Sequence, residues 1–321
     1  METSKVPAAA QRCSRLIWID LARGIAVAAM IIYHAAWDAD QLELTALGVT
    51  TEPAWRLFAQ AIAAAFLFLA GVSLWLAHQK STRWQAFWKR FWLIAGAALL
   101  VTLATYLIFP DRFVFFGILH CIAAGSLLGV VLLRAPAFIQ LASASLLLLL
   151  PLLFPDGLIE HRMLQWIGLM SYAPMTNDYV PMIPWSGFII GGMACAKIGF
   201  AGGTPLPRER PKADRAAALL AWAGRHSLAI YLAHQIILFG AMSGLVMLTG
   251  ASSSVRQLNF ERSCAAACAA QSQSEIFCRS RCACVAKEMT ARGRFSGKPE
   301  SGISQGEAMR SAIDSCQAAR P

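Results

Sequence analysis

The chain has 321 residues, 57% of them hydrophobic and only 14% charged, with a mean hydropathy of +0.52. A water-soluble domain carries roughly 25% charged residues, so this composition excludes an ordinary soluble protein and favours a polytopic membrane protein. The formal charge of +10 does not point to nucleic acid, because the basic residues form short tracts between apolar runs rather than one amphipathic face.

A membrane span needs roughly 20 mostly apolar residues. Seven such runs follow one another, at about 17–36, 57–77, 91–109, 115–133, 137–154, 183–200 and 225–248. The expected fold is therefore all-α: a transmembrane helix bundle over 16–250, preceded by a short segment 1–15 and followed by a Cys-rich tail, 251–321. The first run is read as a retained span and not a secretory signal. Asp20 and Arg23 interrupt its apolar core, and "YHAAWDAD" offers no small-x-small cleavage site.

Lysine and arginine placement predicts the orientation. Lys5, Arg12 and Arg15 precede the first run, and Lys80, Arg83, Lys89 and Arg90 lie between the second and third. Arg134 follows the fourth, while Lys197, Arg208, Arg210, Lys212 and Arg215 lie between the sixth and seventh. The opposite loops hold only Arg56, Arg112 and Arg162. This asymmetry predicts a cytoplasmic N-terminus and an extracytoplasmic tail.

The tail is polar and carries Cys264, Cys268, Cys278, Cys282, Cys284 and Cys316. Its units "CAAAC" and "CRSRC" place two cysteines four apart, on one helix face. An antiparallel helical pair would join Cys268 to Cys278 and Cys264 to Cys282, one choice among the fifteen pairings that six cysteines allow. Zinc is the competing reading, but histidine and CxxC spacing are absent, so disulfides and no metal are expected. The tail is also where a second copy or an envelope partner would attach.

The first run, "RGIAVAAMIIYH", carries chemistry. Arg23 and His34 are eleven positions apart, close to three helical turns, so they share a face about 16 Å apart along the axis. Intramembrane ionisable groups are costly and by default face a protein cavity. In one arrangement Arg23 grips an anionic group entering from the cytoplasm and His34 works at the far mouth. Acetyl-coenzyme A fits that arrangement, with phosphates at one end and a thioester at the other. In the other arrangement Arg23 snorkels to headgroups beside Asp20, and His34 is interfacial.

"IDLARGIAVAAMIIYHAAWD" resembles the first span of membrane-bound acyltransferases, in which the acyltransferase-three family carries an Arg-x10-His pattern. The chain more closely resembles bacterial members of the heparan-alpha-glucosaminide N-acetyltransferase catalytic-domain family. The motifs that carry this are "FLFLAGVSL" (66–74), "FFGILHCIA" (115–123), "DYVPMIPWSGFIIGG" (178–192) and "GRHSLAIYLAHQ" (224–235), so the resemblance covers about 15–240. It implies an inner-membrane enzyme that moves an acetyl group from cytosolic acetyl-CoA to an extracytoplasmic acceptor, such as an envelope sugar. Two features depart from the family. The loop "WDADQLELTALGVTTEPAWR" lacks the histidine that the eukaryotic heparan enzyme places there, so His34 takes that role through the Arg-x10-His pattern alone. Seven spans are also fewer than those relatives have. The name heparan is not carried over.

His120, in "GILH", falls at a depth similar to that of His34, where it would orient His34, bind the acyl carbonyl or simply pack. Asn177, Asp178 and Tyr179, followed by Trp185, suit a sugar acceptor or an interfacial belt, with Asp178 a candidate to orient a histidine. Ser227, Tyr231, His234 and Gln235 form one polar stripe, suited to lining a coenzyme tunnel or to hydrogen-bonding between helices. The glycines Gly187, Gly191 and Gly192 read as small-residue helix packing. The rival to acyl transfer is a transporter or flippase that uses the same polar faces, although no inverted repeat is evident.

Overall fold

The computed structural model describes residues 17–45, 47–50, 52–159, 161–172, 174–200, 215–249, 252–269, 274–295 and 305–318. The segment 1–15, with Lys5, Arg12 and Arg15, lies outside the described residues, as do Arg208, Arg210 and Lys212.

Among the described residues the regular structure is helical: α1 (Ile17–Gln41), α2 (Pro53–His78), α3 (Trp84–Ile108), α4 (Ile118–Leu132), α5 (Ala137–Leu153), α6 (Met182–Phe200), α7 (Arg215–Arg225), α8 (Ser227–Thr249), α9 (Ser252–Ala269), α10 (Glu275–Ala291) and α11 (Gln305–Ala318). Five of them, α1, α2, α3, α6 and α8, are long and apolar enough to cross a membrane. The chain is an integral membrane protein. Large apolar side chains such as Leu103, Leu107, Ile236 and Leu248 are exposed, as expected where lipid is the solvent.

Two of the seven expected spans are shorter than expected. α4 has 15 residues and α5 has 17, about 22 and 26 Å against a hydrocarbon layer of about 30 Å. The apolar run 115–133 includes Phe115 and Phe116, which lie outside the helix because Gly117 begins it. The basic loop before α8 also gives rise to a separate short helix, α7, with Ala221 and Gly224 buried.

The helices fall into two compact units: Met1–Met30 with Phe58–Leu232, and Ile31–Leu57 with Ala233–Pro321. In the first, α6 packs against α4 and α5, and α3 against α4. Leu74, Trp75, Phe87, Ile190 and Met193 belong to one buried cluster there. Two helix pairs touch backbone to backbone through reciprocal glycines. A Cβ on Gly71 would strike the Ile189 carbonyl, and one on Gly192 would strike the Phe68 carbonyl, which locks α2 to α6. Gly24 meets Leu220 and Gly224 meets Asp20 in the same way, joining α1 to α7. Small residues permit this approach, and dispersion between the touching backbones rewards it. Gly187 also lies against α5, at Ala144 and Leu148, whereas Gly191 has Ala144 Cβ as its nearest neighbour at 3.9 Å.

In the second unit, disulfides join Cys264 to Cys282 and Cys268 to Cys278, the nested pairing of an antiparallel α9–α10 hairpin. A third disulfide, Cys284–Cys316, ties α11 to α10. Val285, Ala286, Met289, Phe295, Ala308 and Ala312 form the core beneath these staples. The tail is thus three helices around a small apolar centre, where disulfides supply what so little buried surface cannot. The loop after α1 folds on Asp40, whose carboxylate accepts the N–H groups of Leu47 at 2.9 Å, Gly48 at 3.4 Å and Val49 at 2.9 Å. Arg256 of α9 pairs with Glu43 of this loop at 2.9 Å.

Candidate active site

The second unit brings together four polar side chains from α1 and α8. The rings of His34 and His234 meet edge to face with centroids 4.8 Å apart. Tyr33 lies edge-on to His34 at 5.5 Å. One turn beyond His34, Asp38 is fully buried and accepts the Gln235 amide N–H at 2.6 Å. His34 and Asp38 stand four apart, and His234 and Gln235 are neighbours, so two adjacent contacts knit the same two helices. Among the described residues, the buried atoms His34 Nδ1, Asp38 Oδ2 and Gln235 Oε1 have no hydrogen-bond partner. Buried polar atoms without partners are uncommon and concentrate where a protein binds or reacts. The cluster therefore offers an imidazole nitrogen and a carboxylate oxygen to an incoming group.

The first unit holds Arg23, whose guanidinium donates to the Ser73 hydroxyl. Ser73 in turn donates to the Leu69 carbonyl at 2.6 Å, which orients its oxygen toward the arginine. Arg23 is thus held by the "FLFLAGVSL" segment of α2. The α8 stripe is divided between the units. Ser227 and Tyr231 belong to the first, and Tyr231 packs against Ile94, Ala98 and Leu119 as part of an apolar cluster. His234 and Gln235 belong to the second.

His120 caps its own helix. Its Nδ1 accepts the Gly117 N–H at 3.2 Å, and Nε2 lies 3.2 Å from the Thr102 hydroxyl. Asp178 caps the same terminus, with Oδ2 accepting the Ile118 N–H at 3.0 Å. An anion at a helix N-terminus is favoured by the free N–H groups and the helix dipole. The segment around Asp178 is bonded to the strand-like 112–116. Asn177 N–H donates to the Arg112 carbonyl at 3.0 Å, Val180 N–H to Phe116 at 3.1 Å, and the Thr176 hydroxyl to Phe113 at 2.7 Å. Burial pushes the Asp178 carboxyl up from 3.8 to about 6, although the Ile118 N–H favours the charged form.

The expected acceptor residues differ in exposure and in what they touch. Asn177 is exposed. Tyr179 is half-buried, its hydroxyl donates to the Gln165 carbonyl at 2.7 Å, and burial raises its pKa. Trp185 packs beside Leu67, Ile118 and Val180 and faces Phe188 at 5.8 Å.

Two residues central to these contacts, Asp38 and Ser73, carried no signal strong enough to single them out in the sequence. Asp38 follows His34 by one turn, the spacing that would have marked it. Ser73 is the only hydroxyl within "FLFLAGVSL", the motif that faces Arg23.

No curated protein and no solved structure matches the chain. The family model described as heparan-alpha-glucosaminide N-acetyltransferase, catalytic, matches residues 15–236. That range takes in Arg23, Ser73, both histidines of the α1–α8 pair, and the Asp38–Gln235 contact. Over 15–236 the chain belongs to the heparan-alpha-glucosaminide N-acetyltransferase catalytic-domain family.

Proposed function

We propose that the protein is a membrane acetyltransferase that moves an acetyl group from cytosolic acetyl-CoA to a hydroxyl or amine outside the cytoplasm, on an envelope sugar. Membership of the family and the spans in the chain support the reaction class and the setting. The observation that carries the residue assignment is the buried, unbonded Nδ1 of His34 set against His234.

His34 is the general base. It accepts the proton of the acceptor as the new O–C or N–C bond forms, and returns it to the sulfur as the thioester C–S bond breaks. His234 holds the His34 ring by its edge contact, and the Asp38–Gln235 bond fixes the spacing of α1 and α8 around the pair. Arg23, steadied by Ser73, binds a phosphate of the coenzyme. Ser227 and Tyr231 line the coenzyme's path. Asp178 and His120 act by fixing the start of α4. We read the N-terminus as cytoplasmic from the lysine and arginine asymmetry; with α4 and α5 counted as crossings, the disulfide tail is then periplasmic, where cysteines oxidise.

The test uses membranes that contain the full chain, supplied with acetyl-labelled coenzyme A and extracted envelope glycans. Label enters glycan with the native chain and not with His34→Ala. Equal labelling by both removes His34 from the mechanism. Uptake of a solute into proteoliposomes without acetyl-CoA would favour a transporter instead.

A further inference from the structure

Acyl transfer needs something to hold the acceptor beside His34, and the second unit carries aromatic side chains there. Tyr33 precedes His34 in α1, and its ring lies edge-on to the imidazole at 5.5 Å. Trp55, in the first turn of α2, has its ring centre 6.3 Å from that of Tyr33, with the two planes 55° apart. Both residues are half-buried, so each keeps part of its surface accessible. An aromatic pair therefore leads from the start of α2 to the imidazole of His34. All three belong to the same compact unit.

The polar atoms in this part of the unit are of one kind. Asp38 Oδ2 and Gln235 Oε1 have no donor among the described residues, and as oxygens of a carboxylate and an amide they can only accept. The Thr45 hydroxyl is buried without a partner as well, held near the end of α1 by the Thr45 N–H bond to the Ala39 carbonyl at 3.3 Å. Oxygens that only accept repel a phosphate or a carboxylate, and a purely apolar chain leaves them unsatisfied. A pyranose meets both requirements. Its C–H face packs on an aromatic ring, and its hydroxyl or amino groups donate to the oxygens.

We propose that Trp55 and Tyr33 are the platform on which the acceptor sugar stacks beside His34, with Asp38 and Thr45 taking its hydrogen bonds. Calling that sugar an acceptor rests on the acetyltransferase reading, whereas the stacking of a sugar ring does not.

The test uses the purified full chain in nanodiscs and reads it in two ways. One is the initial rate of acetyl transfer to extracted envelope glycan. The other is saturation-transfer NMR of methyl glucoside and methyl glucosaminide, with glycerol as a polyol that has no ring face. Trp55→Leu keeps an apolar side chain for packing or lipid contact and removes the flat ring. It should raise KM for glycan about tenfold and leave kcat and KM for acetyl-CoA as they are, which marks binding lost equally from the ground and transition states. The glycoside signals should fade in this variant, and glycerol should give none in any form. Trp55→Phe keeps a ring and should raise KM only about threefold; if Trp55→Leu fails to fold, that smaller rise decides. A native KM in the variants with undiminished glycoside signals overturns the proposal, as does a fall in kcat with KM unchanged. If the native chain transfers no acetyl group at all, the acetyltransferase reading falls and the glycoside signals alone judge the platform. Signals present in the native chain and lost in Trp55→Leu then uphold it, and signals equal in both or absent from the native chain overturn it.

Discussion

The imidazoles of His34 and His234 stand edge to face, 4.8 Å between centroids, with Asp38 and Gln235 bonded at 2.6 Å beside them. One ring comes from α1 and the other from α8, so the pair exists only in the folded chain. Its chemistry and its stability are separable by substitution.

Removing the base should stop chemistry without unfolding the chain. His34→Ala is expected to lower acetyl transfer roughly 100- to 10,000-fold, the usual worth of a general base. His234→Phe keeps the edge contact and should cost less. Initial rates at saturating acetyl-CoA distinguish the two, with monodispersity on size exclusion as the control.

Asp38→Ala leaves the half-buried Gln235 amide without its acceptor, at a cost of about 1–3 kcal/mol. Asp38→Asn keeps an oxygen for that bond and should cost less. Thermal melts in detergent should rank native, Asn and Ala in that order.

The Asp178 carboxyl gives a pH signature. It releases its proton near 3.8 when unfolded and near 6 when folded. Between these values the folded chain holds more protons, so its contribution to stability is full below about pH 4 and is lost as pH rises through 6. Asp178→Asn, which can still accept the Ile118 N–H, should flatten that part of the melting profile between pH 4 and 7.

The glycines of α6 should differ sharply. Gly192→Ala drives a methyl into the Phe68 carbonyl and should cost about 1–3 kcal/mol or more. At Gly191 the nearest atom is 3.9 Å away, so alanine should be neutral or gain up to about 1 kcal/mol from helix propensity. Melting of the two variants side by side checks this.

Reduction should release the tail. The three disulfides close separations of 18, 10 and 32 residues, and each such link typically contributes about 2–4 kcal/mol. Limited proteolysis with and without reductant should show cleavage within 252–318 only after reduction.

The sequence makes features within one helix visible and leaves features between helices hidden. Arg23 and His34 stand out because one helix carries both. His34's partner ring is hidden, since α8 approaches α1 only through tertiary packing, as the 197-residue separation of Asp38 and Gln235 shows. The nested cysteine pairs are legible because CxxxC spacing defines helix faces. The Cys284–Cys316 link is not, because it requires a third helix whose only sequence mark is the four-residue spacing of Ala308, Ala312 and Cys316. His120 shows another contact that the apolar run does not announce: its ring nitrogen accepts the Gly117 N–H at the start of α4. Apolar run length also overstates α4, since hydropathy cannot register where Gly117 and Asp178 force the helix to begin.

That fixed start has a consequence for the lipid. With 15 residues, α4 falls about 8 Å short of an average hydrocarbon layer, and its capped end cannot lengthen to make up the difference. Such a mismatch is met by thinning of the adjacent bilayer, at a fraction of a kcal/mol for each ångström. The protein should therefore prefer, and sort toward, membranes built from shorter acyl chains.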